Sequence, residues 1–435
     1  MRLARFVAVL TLAMTTALAG EPLPVSIVPV PLPHLPLGVV SFPSGKAINV
    51  SVSPGAGAFR APGDPEGRIW TITDRGPSVD CSEQGELTGP DGRQLCAGGM
   101  RGRIYFLPGY APSIYAIDIA ANRARFAEMI VLTGTSGKPL TGIVNPSIAG
   151  KAELAVTVDG APLAPDPSGV SPGALVRLAD GRFWIADNFG PSLLEVDPSG
   201  RVLRRLVPAA SLENYRNADY PVEPVLPDVL GLRQVGRGFE GLAVAPDGDS
   251  LYVAMQSAVM NPDIEAYRSS SAVRILRIDR VTGRTLAQFL YRLDPPVAFA
   301  GTDPATPRRQ SEVKVTELSA LPDGRLLVLE RLGGACRFYW IDLSTATPLP
   351  DALDSPAFQP PLEARAEQDW AGAGLVPIAK TLLASTGSEA LFGRRLNGMA
   401  VLSGHDIAVI ANNDFGIDGS RTQMFRLTLP ETVLK

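Results

Sequence analysis

The sequence predicts an all-β protein: a β-propeller of five or six four-stranded blades, with room for a short helical insertion. Three observations predict it. One pattern recurs, namely an apolar run, a tight turn on Asp-Gly or a similar pair, a second apolar run, then a polar cluster. It is written from Gly173 (GALVRLADGRFWIADNFGP), Gly238 (GFEGLAVAPDGDSLYVAMQS), Val315 (VTELSALPDGRLLVLERLGG) and Arg395 (RLNGMAVLSGHDIAVIANNDFG), with a half copy from Arg68 (RIWTITDRGP). A hairpin repeated along a chain marks a radial architecture whose blades share one axis. Second, each copy is followed by another hairpin, such as SLLEVDPSGRVLRRLVP after FWIADNFGP, and two hairpins make one four-stranded blade. Third, 43 Gly and 40 Pro are spread through the 435 residues rather than gathered in a linker, as a turn-rich β protein requires.

Taken in order, residues 1–19 read as a signal peptide. Arg2 and Arg5 form a basic start, Phe6 to Leu18 an apolar stretch, and Ala17-Leu18-Ala19 a cleavage site between small residues. Residues 20–37 form an extended, Pro-rich lead-in, and 38–435 a single propeller domain. Five blades are plain in the repeats. A sixth has two sources, residues 134–165 or pairing between the two ends of the chain. The segment 209–235, with ENYRNADYPVEP, reads as the insertion that carries a short helix. The turns at Asp180-Gly181, Asp247-Gly248 and Asp323-Gly324 predict two-residue hairpin loops. The runs between them, such as Phe183-Trp184-Ile185-Ala186, lack alternation, which predicts strands covered on both faces.

Composition narrows the function. Forty basic against 44 acidic residues, with no basic block, argue against a nucleic-acid partner. No run after the leader is long enough to span a membrane, so the chain is expected to be periplasmic or secreted, and monomeric. The two histidines, His34 and His405, fall in a Pro-rich stretch and a turn. No Gly-x-Ser-x-Gly elbow, zinc spacing, phosphate-binding loop or dinucleotide fingerprint is present. Of three cysteines, Cys81 and Cys96 are close in a Gly-rich segment and are expected to pair in an oxidising compartment, leaving Cys336 as a buried thiol.

Residues equally distant from a hairpin turn lie side by side. Glu317 is six before Asp323 and Glu330 six after Gly324; Glu240 is seven before Asp247. The polar residues of every copy therefore gather at the end opposite the turn. Around one axis they bring Asp74, Arg75, Asp187, Asn188, Glu240, Gln256, Glu317, Glu330, Asn413 and Asp414 to one channel mouth. Carboxylates so crowded need raised pKa values or a cation. Oxygen donors without sulfur or imidazole suit Ca²⁺ first and Mg²⁺ second.

The segments TDRGPSVDC, GRFWIADNFGPSLLEVDPSGRVL, RGFEGLAVAPDGDSLYVAMQS and NNDFG together resemble the bacterial phytase-like family, described by an esterase-like activity of phytase. The resemblance runs over roughly residues 35–430. It implies an exported propeller and calcium-dependent hydrolysis of a small-molecule phosphoester or other ester. On that reading Glu240, Glu317 and Glu330 are the catalytic carboxylates. Asp74, Asp187, Glu240, Glu317, Glu330 and Asp414 are the metal set, and Arg75, Arg331 and Gln256 bind substrate. The chain departs from the family pattern at Gly173-Ala174 and Asn397-Gly398, where Glu-Gly is usual, and at Asn188, where an acid is common. The alternative is a non-catalytic propeller that binds a ligand or serves as a scaffold.

Overall fold

A computed structural model of the chain describes residues 26–82, 96, 102–146, 148, 152–299, 306–386, 392–393 and 395–429. The expected signal peptide lies outside them. Five sheets radiate from one axis. Blade 1 runs Pro54–Phe59, Arg68–Thr73, Ser113–Ala120, Arg123–Val131, and blade 2 runs Pro172–Arg177, Phe183–Asp187, Ser192–Val196, Val202–Pro208. Blade 3 is Phe239–Val244, Ser250–Met255, Ala272–Asp279, Thr285–Arg292, and blade 4 is Lys314–Ala320, Leu326–Leu332, Ala335–Asp342, Ala379–Thr386. Blade 5 is Leu396–Val401, Asp406–Ala411 and Gln423–Thr428, completed on its outer edge by Ser26–Pro29. The first strand of each blade packs on the first strand of the next, and blade 5 returns to blade 1. The fold is thus a five-bladed propeller. Pairing between the chain ends is present, and it finishes the fifth blade rather than building a sixth.

The apolar runs are covered on both faces, as their lack of alternation predicts. Trp184, Leu242, Val253 and Val328 are essentially inaccessible between neighbouring blades. Each such side chain contributes roughly 1.5–3 kcal/mol of burial. The inner strands approach so closely that a Cβ on Gly57 would stand 2.6 Å from the Cα of Ala174. The turns differ from expectation. Gly181 donates its N–H to Leu178 O while Leu178 donates to Arg182 O, so the loop has three residues and only the glycine is left-handed (φ 87°). Asp180 instead accepts the N–H of Arg182 at 3.1 Å, the local bond that favours Asp in turns. Asp323 and Gly324 repeat the arrangement.

Residues 134–165 do not make a blade. Leu154–Thr157 and Pro162–Leu163 join Ser78–Asp80 and Gly102–Tyr105 in an accessory sheet. With the hairpin Pro36–Ser41/Ala47–Ser51 it shares a small core of Val40, Ile48, Val79, Ile104, Val156 and Ile417. Cys81 and Cys96 are disulfide-bonded at its edge, with Cα atoms 5.9 Å apart. Cys336 is a buried thiol, and burial pushes it up to about 12. The 209–235 insertion holds 3-10 turns at Ala209–Tyr215 and Asp228–Leu232 and a strand, Val222–Leu226, parallel to Val202–Pro208. Among the described residues the α-helices lie elsewhere, at Ile264–Ser269 and Glu367–Trp370.

Every inner strand carries a β-bulge near the end opposite its turn. The extra residues are Gly55-Ala56, Gly173, Glu240, Thr316 and Asn397 in blades 1 to 5. A bulge moves every residue beyond it by one place in the register. Hence the partner of Glu330 is Val315, not Glu317 as counting from the turn implied. Glu317 is structurally equivalent to Gly57, Ala174, Gly241 and Gly398, while Glu240 is equivalent to Gly173, Thr316 and Asn397.

Candidate functional site

The bulge aims Glu240 into the mouth of the propeller. Its Oε2 accepts from Asn188 Nδ2 at 3.1 Å and its Oε1 from Asn397 Nδ2 at 3.5 Å. Ser171 Oγ donates to Asn188 Oδ1 at 2.8 Å, which fixes that amide with its nitrogen toward Glu240. Arg331 Nη2 donates to Asn397 Oδ1 at 3.0 Å and fixes the other. Gly173 stands at the equivalent bulge, where a Cβ would lie 2.6 Å from the Phe239 carbonyl oxygen and 2.9 Å from Glu240 Oε2. Only 3% of Glu240 is exposed. Burial, with the Asp74 charge behind it, raises its carboxyl to about 7, against the pull of Asn188, Lys314 and Arg331.

Sequence reasoning named Arg331 but missed the other cations at this mouth, Lys314, Arg237 and Arg395. Lys314 and Arg331 are directly cross-strand partners, and Arg237 and Arg395 act on both. Arg237 Nη1 donates to Gln256 Oε1 at 2.7 Å, and Arg395 Nη2 lies 2.6 Å from Asp414 Oδ2. Burial lowers Arg331 to about 10 and Lys314 well below the ordinary amine range, each helped by the other guanidinium groups. Asp414 itself sits in left-handed backbone (φ 47°), as does Phe415 (φ 59°), an uncommon conformation for residues with a side chain. The mouth thus gathers Asp74, Glu240 and Asp414 with Arg237, Lys314, Arg331 and Arg395. The repeat itself marks Lys314, which begins the inner strand of blade 4 at the end opposite the turn.

The remaining predicted residues lie apart from this cluster or are engaged within it. Glu317 sits on the axis, fully buried. Its Oε2 accepts the N–H of Ala58 at 3.0 Å and its Oε1 that of Leu318 at 3.1 Å, and Leu242 N–H also bonds it. It ties together the inner strands of blades 1, 3 and 4. Glu330 points between blades 3 and 4, where Lys380 Nζ is 2.6 Å away and the Tyr291 hydroxyl and Asp294 N–H also donate. Asp187 is paired with Arg205 at 2.8 Å and accepts three backbone N–H bonds, from Ser171, Phe189 and Gly190. Arg75 is clamped by Glu153 through both its terminal nitrogens, at 3.1 and 3.4 Å. Asn413 is held by Ser51 and Thr422. Among the described residues no three Asp, Glu, His or Cys side chains converge to hold an ion. No helix among them is long and apolar enough to cross a membrane.

A secreted, uncharacterized protein of Arthroderma benhamiae is 27% identical over 308 residues, 62% of this chain and 56% of that protein, so the match spans little more than half of that relative. Similar solved structures include a luciferin-regenerating enzyme (9% identity, 88% of this chain and 95% of that one, TM-score 0.35). Another is regucalcin, a calcium-binding protein of Agrobacterium tumefaciens (9%, 89% and 96%, TM-score 0.34). A third is virginiamycin B lyase of Staphylococcus aureus (13%, 87% and 95%, TM-score 0.32). The family model described as phytase-like, esterase-like activity of phytase, matches residues 60–415, and the chain belongs to that family.

Proposed function

We propose that the chain is an exported phytase-like hydrolase that cleaves small anionic phosphoesters at the channel mouth, with Glu240 as the group that moves the proton. The observation that carries this reading is a buried carboxylate raised to about 7 and surrounded by cationic side chains. A proton-transfer group is most effective when its pKa is near the working pH. The guanidinium groups of Arg331, Arg395 and Arg237 suit the oxygens of a phosphoryl group and the charge that develops on them. Glu240 takes the proton of an attacking water and returns it to the leaving oxygen. Export to the periplasm or the medium is supported by the leader-like first 19 residues and by the secreted relative.

The resemblance implies calcium, and the side chains present do not fit it well. Asp187, Glu330 and Asp414 each face a cation, and Glu317 is saturated by backbone N–H groups. Asp74 and Glu240 act on one another, but Lys314 and Arg331 also act on Glu240, and two amide donors hold it. A hard cation needs oxygen donors at those places, so no step of the mechanism is assigned to a metal.

A second reading, a ligand-binding propeller, is favoured by one observation: both oxygens of Glu240 already accept hydrogen bonds. The two are separated by assaying the purified mature protein on p-nitrophenyl phosphate and bis-p-nitrophenyl phosphate, with added Ca²⁺ and with chelator. The hydrolase reading expects turnover that survives chelation and falls about 10²–10⁴-fold in Glu240→Gln. Absent turnover in all conditions, with phosphate nonetheless raising the melting temperature, selects the binding protein.

A further inference from the structure

We propose that Lys314 is a reactive amine, a nucleophile that captures small anionic aldehydes at the propeller mouth as an imine. The chain has forty basic residues, of which only six are lysine: Lys46, Lys138, Lys151, Lys314, Lys380 and Lys435. Arginine is the default cation of this sequence, and lysine stands at 314 against that preference. The two described lysines inside the propeller are placed in opposite ways. Lys380 lies 2.6 Å from Glu330 and 2.7 Å from Asp294, the setting of an ammonium ion. Lys314 has no carboxylate within ion-pair distance among the described residues. Its cross-strand partner is Arg331, a like-charge pair that an ordinary sheet avoids.

The groups that act on Lys314 come from blades 3, 4 and 5. Arg237 precedes blade 3, Arg331 is on the second strand of blade 4, Arg395 precedes blade 5, and Glu240 is the bulge of blade 3. Burial first, and then three guanidinium groups against one carboxylate, favour the uncharged amine. Desolvation next to other cations is a general way to make a lysine nucleophilic. The same guanidinium groups select for an anionic partner.

The step balances without a redox partner. The Nζ lone pair forms a bond to the carbonyl carbon, and the carbonyl electron pair moves to oxygen, which takes a proton. The carbinolamine then loses its oxygen as water, with the protons from the amine, and Glu240 is the nearby group that ferries them. The products are an imine and one water.

This inference does not rest on phosphoester hydrolysis, and its test reads no turnover. The full mature protein is treated with pyridoxal 5′-phosphate as an anionic aldehyde, reduced with borohydride at pH values from 6 to 10, and mapped by peptide mass spectrometry. The expected result is reduced adduct on Lys314 at pH 7 at least tenfold faster than on the exposed Lys46 and Lys138, suppressed by inorganic phosphate and lost in Lys314→Met. An uncharged aldehyde, propionaldehyde, should show a much smaller preference. Labelling of Lys314 that matches the exposed lysines and rises only toward pH 10 would overturn the proposal.

Discussion

Glu240 and Glu317 stand at neighbouring positions of adjacent inner strands, and both are buried carboxylates raised by desolvation. One residue of register separates their roles. Glu240 occupies the bulge, where backbone irregularity turns the side chain toward the mouth, and it meets side-chain amides and cations there. Glu317 occupies the next place, where blades 1, 2, 3 and 5 have Gly57, Ala174, Gly241 and Gly398. Four small residues leave room at the axis for one long one. The space is filled by a carboxylate that accepts main-chain N–H groups from three blades. The same functional group thus meets amides and cations at the mouth in one place and closes the ring in the other, and the register decides which.

The largest effect that tests this contrast is on stability. Glu317→Ala leaves buried N–H groups of Ala58, Leu318 and Leu242 without an acceptor, and each such group costs about 1–3 kcal/mol. We expect a loss of about 3–5 kcal/mol in urea unfolding. Destabilisation below about 1 kcal/mol would mean that Glu317 does not hold the blades together.

A smaller effect belongs to Glu240 and is read as a slope against pH. Its folded carboxyl, raised to about 7, binds a proton more tightly than the ordinary value of 4.5. Between these values the folded chain holds a proton that the unfolded chain releases, so stability falls as pH rises through the window. The slope reaches at most about 1.4 kcal/mol per pH unit. Glu240→Gln should flatten it between pH 4.5 and about 7 while leaving the protein folded. Identical pH–stability curves for the two proteins would show that Glu240 is not shifted.

The architecture was largely legible because its signals are local. Gly181 and Gly324 mark turns through their positive φ, and the unbroken apolar runs mark strands covered on both faces. The inner strand of blade 1 was hidden because it reads Pro54–Phe59, PGAGAF. Its glycines serve contact between blades, which no pattern of hydrophobicity reports. The site was legible in place but not in membership. Counting from the turns identified the correct end of each hairpin, yet bulges displaced the pairing and separated Glu330 from Glu317. Which carboxylates are neutralised by Arg205, Lys380 or Arg395 depends on contacts between distant segments, and these carry no signature in a single sequence.

The smallest effect is also the most informative about the equivalence of the bulges. Asn397 holds in blade 5 the place of Glu240 in blade 3, with Arg331 at 3.0 Å on one side and Glu240 at 3.5 Å on the other. Asn397→Asp adds a carboxylate beside Glu240 and removes one amide donor from it. A second negative charge raises the first, but Arg331 lies closer to the new charge and takes up much of it. The acidic limb of the pH–rate profile should therefore move upward by less than about 1 unit. With oxygens of Asp74, Glu240 and the introduced carboxylate facing one opening, the variant should also gain a Ca²⁺-dependent rise in melting temperature that the natural protein lacks. An equal rise in both proteins would mean that the natural mouth already offers oxygen donors to the ion, so that Asn188 and Asn397 turn their amide oxygens inward rather than their nitrogens. That outcome would restore calcium to the mechanism and reassign both amides from donors of Glu240 to ligands.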